Sequence, residues 1–266
     1  EKASTNIASF YFSLTDNKDI KEKGLVDALN WNEKLEDDEY YKIIFIFFYS
    51  AIIYHVAKIM KMKSFDMPRH ISFSGNGSKI VSIISDDEVI LADYTKKIFC
   101  FVYGTDYHRD GLSVILNEAP KVATCKGGLS YLNNANNIQE LNIGEKIVLL
   151  ADKFITDNNY YLSNTYKGLD YPDEKRKTIL DIEQLVDFIK KNSKFLTDNF
   201  GLNTNILKTI TTDWKQDVET FFDKGFEQKM IEINGEKETP IEDPLFFYPI
   251  IGMLYKIPMT NIIGNE

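Results

Sequence analysis

The chain has 266 residues, 44% of them apolar and 27% charged, which is ordinary globular composition with enough apolar material for one large domain or two small ones. Its formal charge of −9, with no dense Lys/Arg cluster to offset it, argues against a nucleic-acid-binding surface. Cys100 and Cys125 both fall in expected helices, so the reading is two buried free thiols in a reduced, cytoplasmic compartment.

Glu1 opens the chain without an initiator Met or a basic-then-apolar leader, which reads as a piece cut from a longer protein. Ala8, Phe10, Phe12 and Leu14 alternate as a strand would. Leu25, Val26, Leu29 and Trp31 form a weaker apolar cluster, closed by Asn30 and Asn32. Glu36 to Glu39 then precede the apolar run Ile43 to Tyr54, and Lys58, Lys61 and Lys63 follow it. Acid at the front and base at the back suit a helix dipole. The uninterrupted run is shorter than the roughly 20 residues a bilayer requires. The expectation is therefore a helix buried on nearly all sides, without a membrane span, in which His55 is a core histidine rather than a ligand.

Residues 68–80, Pro-Arg-His-Ile-Ser-Phe-Ser-Gly-Asn-Gly-Ser-Lys-Ile, read as strand, tight turn, helix. Ile71 and Phe73 lie two apart on one face of an extended segment, and Gly75 and Gly77 allow a close approach that a Cβ would forbid. Amides opening the following helix could face a phosphate, ribose or carboxylate. A dinucleotide-binding loop would need a third glycine where Ile80 stands. A P-loop would need Gly-Lys-Ser/Thr, whereas the order here is Gly77-Ser78-Lys79.

Beyond the loop, Ile80, Val81, Ile83 and Ile84 continue as a short helix. Ser85-Asp86-Asp87-Glu88 has the form of a capping box, with Ser85 as cap, opening a second helix through Val89, Ile98 and Val102 that Gly104 stops. His108-Arg109-Asp110 matches a kinase catalytic-loop tripeptide, but Ile115 stands where that loop needs Asn, so it reads as a solvated turn. Leu112 to Leu116 should be a strand, followed by the run from Asn117 through Gly127-Gly128-Leu129.

The pattern apolar-x-apolar-Ser-Gly-Asn-Gly-Ser over Ile71 to Ser78 resembles the adenosine motif in the second lobe of the actin, heat-shock-chaperone and sugar-kinase ATPase superfamily. The long helix before it and the helix, strand and helix after it are similar to that lobe in order. The resemblance covers about residues 40 to 132. It implies an α/β fold, the ribonuclease H-like second lobe of an actin-like ATPase, over 1–132, with 1–38 as part of the variable subdomain. It also implies that Gly75, Asn76 and Gly77 lie along adenosine, with Ser78 and Lys79 beside base and ribose. Asn76 departs from the glycine many members carry there, though Asn tolerates left-handed angles. ATP with magnesium is the implied cofactor of the parent protein. Neither of the superfamily's two phosphate hairpins is present in this sequence, so the chain alone is expected to be inactive. Its expected partners are the first lobe of the same protein and a further protein; a non-catalytic assembly module is the alternative reading.

Asn133 to Asn137 mark the expected boundary to an appended, mostly helical α+β region over 133–266. There, Lys146 to Leu150 and Tyr160 to Leu162 could be strands. Asp173 is the expected cap of a helix carrying Ile179, Ile182, Leu185, Val186 and Ile189. Thr212 or Asp213 should start another, with Trp214, Val218, Phe221 and Phe222 on one side and Gly225 at its end. Asn234-Gly235 suggests a hairpin turn, and Asp243-Pro244 a last apolar helix, kinked at Pro249, that packs as core. The three histidines show no paired ligand spacing, and no Ser/His/Asp or Cys/His arrangement can be argued from sequence.

Overall fold

The computed structural model describes residues 39–74, 78–107, 111–116, 165–212, 214–239, 241, 244–250 and 252–253. The expected strands at 7–14, 146–150 and 160–162, the turn at 108–110, the helix after Asn117 and the boundary at 133–137 lie outside them.

Helix α1 spans Glu39–Met62. Ile43, Ile46, Phe47, Ala51, Tyr54 and Ala57 have no exposed surface, because so apolar a helix has no face that gains by meeting water. By length and composition Lys42–Met62 could cross a bilayer, but most of that stretch is buried inside the protein. The chain then runs into β1, His70–Phe73, and after the glycine loop into α2, Lys79–Ile84, and α3, Glu88–Tyr103. It returns as β2, Ser113–Leu116, parallel to β1, with His70 opposite Ser113 and Phe73 opposite Leu116. Parallel neighbours need a crossover, and α2 with α3 supply it. Gly104 ends α3 at φ 74°, with its N–H on the carbonyl of Cys100, as a left-handed C-cap should.

The start of α3 corrects the capping-box expectation. Its cap is Asp87, whose carboxylate accepts from the amides of Val89 (2.8 Å) and Ile90 (3.2 Å). Ser85 instead accepts from the amide of Asp87 (3.0 Å), and Glu88 reaches away to the amide of Leu116 (2.7 Å). A carboxylate two residues before the target amide is a stronger acceptor than a hydroxyl further upstream, and it wins.

The C-terminal part is helical. A 3-10 turn at Tyr166–Gly168 leads into α4, Tyr171–Lys191; α5, Ser193–Phe200; α6, Thr204–Thr211; and α7, Trp214–Glu232. Three expectations are corrected here. The cap of α4 is Asp170, which accepts from the amide of Asp173, while Asp173 pairs with Lys177 (2.6 Å) and Arg176 (2.7 Å). Gly225 lies inside α7 rather than at its end, because a Cβ there would come within 2.8 Å of the Tyr248 Cβ: its smallness serves a helix contact, not a stop. Asn234-Gly235 is no hairpin. Asn234 (φ 52°) and Gly235 (φ 73°) donate to the carbonyls of Ile231 and Met230, the paired bonds that close a helix end.

Past α7, the chain turns at 245–246 into a short helix at 247–250, so Pro249 falls in a first turn, where a missing N–H leaves no helical bond unmade. Leu245, Phe246 and Ile250 are fully buried, in keeping with the core reading of this segment. One apolar core joins the described parts of both halves. Tyr94 of α3 meets Phe188 of α4 and Phe195 and Phe200 of α5 at ring distances of 5.9, 5.9 and 5.5 Å.

Candidate functional site at the carboxyl edge of the parallel strands

Strand β1 delivers its chain to the loop at Phe73 and the exposed Ser74. Gly75, Asn76 and Gly77 lie outside the described residues. The chain resumes at Ser78, which stands at the N-cap of α2 without capping it by its side chain, and Lys79 is the first residue of that six-residue helix. The structure thus shows the strand-to-helix passage expected from the sequence around the loop. It leaves the mutual arrangement of the five expected adenosine residues outside what is described.

Three acidic neighbours of this edge had no site role in the sequence reading. Because Phe73 pairs with Leu116, the Glu88 carboxylate that accepts from the Leu116 amide stands beside the exit of β1. Asp86 and Asp87, both exposed, accompany it at the start of α3. Three carboxylates on one rim accept hydrogen bonds from hydroxyls or amines and repel a polyphosphate. The acidic run was visible as a capping signal; its place beside the exit of β1 needed the strand register.

The opposite, amino edge holds a cleft of about 800 Å³ lined by Asp66, Arg69, Tyr103, Asp106, Tyr107 and their neighbours. Tyr103 donates its hydroxyl to the carbonyl of Phe65 (2.8 Å), and burial together with the Asp66 charge raises its pKa. The Tyr107 hydroxyl is buried with no hydrogen-bond partner among the described residues, and burial raises its pKa as well. Near this edge His70 Nδ1 and Ser113 Oγ are 2.6 Å apart across the strand pair, a contact that sequence spacing did not show. Among the described residues His70 makes no other hydrogen bond, so none of them holds its second ring nitrogen as the third member of a nucleophile–base–orienter set would. A smaller groove, about 410 Å³, runs between α3 and α4–α5 past Cys100, a half-buried free thiol. Lys97 lies over the Phe195 ring there at 5.1 Å, and Lys191 over Phe101 at 5.7 Å.

His55 is in the core, 4% exposed, with Phe246 and Phe247 at 5.0 and 5.2 Å from its ring. Burial takes its pKa down to about 3, so it is neutral across the physiological range. No group of three His, Cys, Asp or Glu capable of holding a metal occurs among the described residues. No family model matches the sequence, and no curated protein or solved structure is significantly similar to it.

Proposed function

We propose that the chain is the second lobe of an actin-like ATPase, offering the adenosine-binding side of an ATP site through Gly75, Asn76, Gly77, Ser78 and Lys79. The observation that carries this reading is the parallel pairing of β1 and β2 through the α2–α3 crossover. The glycine residues follow β1 directly in the sequence, and open α/β sheets receive their ligands at the carboxyl ends of parallel strands. The acidic rim adds chemical sense: Asp86, Asp87 and Glu88 suit the hydroxyls and amine of a nucleoside, and the phosphates with their magnesium belong to the partner lobe.

Titration of Mg-ATP into the full-length protein by calorimetry tests this. Micromolar affinity, about −8 kcal/mol, should be lost in Gly75→Val while the circular dichroism stays unchanged. No heat from the folded parent would end the ATPase reading. The same three carboxylates favour a second reading in that event, since a rim that repels phosphate suits an assembly or protein-interaction module that carries the fold without nucleotide.

A further inference from the structure

We draw no further inference here: the strongest candidate, the cleft of about 800 Å³ at the amino edge of β1 and β2, has exposed carboxylates at Asp66 and Asp106 and a Tyr107 hydroxyl sealed away from solvent, and nothing in the structure shows what covers it.

Discussion

Between α1 and α3 four buried hydroxyls pair with one another. Tyr49 meets Thr95 at 2.5 Å and Ser50 meets Tyr94 at 2.7 Å, while Thr95 and Ser50 return their protons to the carbonyls of Leu91 and Ile46. Neutral pairs of this kind cost little to bury, since each donor finds an acceptor inside the core. In α4 and α7 the polar contacts are largely ionic and, the buried Asp181 and Glu174 apart, lie at the rim: Lys175 with Asp223 at 2.8 Å, Lys177 with Asp173 at 2.6 Å. Such pairs in reach of water are worth about 0–1 kcal/mol each. Apolar burial therefore holds α4 and α7 in place, whereas α1 and α3 are also locked in register by their hydroxyl network. Three of the contacts that bolt the two regions together, broken in turn, test whether they fold as one unit.

Tyr94 is the largest of these bolts, since its ring is fully buried and its neighbours come from both regions. Tyr94→Ala should cost about 3–5 kcal/mol, read from urea unfolding. Tyr94→Phe keeps the ring and loses only its bond to Ser50, and should cost about 1 kcal/mol. Loss of α4 and α5 signals ahead of the rest in the Ala variant would show that the regions unfold separately.

His55 is the second, packed from α1 against Phe246 of the segment that follows α7. Its folded pKa of about 3 lies below the ordinary value of 6.5. Between those values the unfolded chain takes up a proton that the folded protein refuses. Stability should therefore fall as the pH drops from 6.5 towards 3, by about 1.4 kcal/mol per unit. At pH 4.5 the loss comes to about 2.7 kcal/mol. His55→Leu should flatten that part of the stability–pH curve; an unchanged slope would mean that the imidazole is solvated in the folded protein.

Lys58 of α1 and Asp181 of α4 form the third, at 2.9 Å, and their exposures differ: 20% for the lysine side chain against 1% for the carboxylate. That difference predicts an asymmetry. Lys58→Met strands a buried carboxylate and should cost about 3 kcal/mol. Asp181→Asn leaves an ammonium that can turn to Gln184 (3.5 Å) and to water, so it should cost about half as much. Equal costs in a double-mutant cycle would overturn the burial argument.

The residues that announced themselves were those whose role is local. The apolar run of α1, the alternation of Ile71 and Phe73, the strand expected from Leu112 and found at Ser113–Leu116, and the stop at Gly104 each follow from a pattern within a few residues. Gly225 and Asn234 carried equally strong local signals and misled. Gly225 is small because Tyr248, 23 positions on, presses against it, and Asn234 adopts its left-handed angle to end a helix. Glycine chemistry is the same at a turn, a cap and a close approach; only the distant partner distinguishes them. At the candidate site, likewise, strand, loop and helix were legible, but the carboxylate of Glu88 beside β1 depends on the pairing of Phe73 with Leu116, which no local pattern encodes.

The smallest effect separates the local reading from the folded one most cleanly. A capping box would place the stabilising acceptor of α3 on Ser85, with Glu88 bonded back to it. In the structure Asp87 accepts two amide bonds at the positive end of the helix, and Ser85 holds only the amide of Asp87. Asp87→Ala should then cost about 1 kcal/mol, and Ser85→Ala a few tenths. Glu88→Gln keeps an acceptor for the Leu116 amide and should also cost only a few tenths of a kcal/mol. Denaturant midpoints in that order fit a cap at Asp87. A larger loss at Ser85 than at Asp87 would restore the capping box, and would release Glu88 from β2 and from its place beside the end of β1.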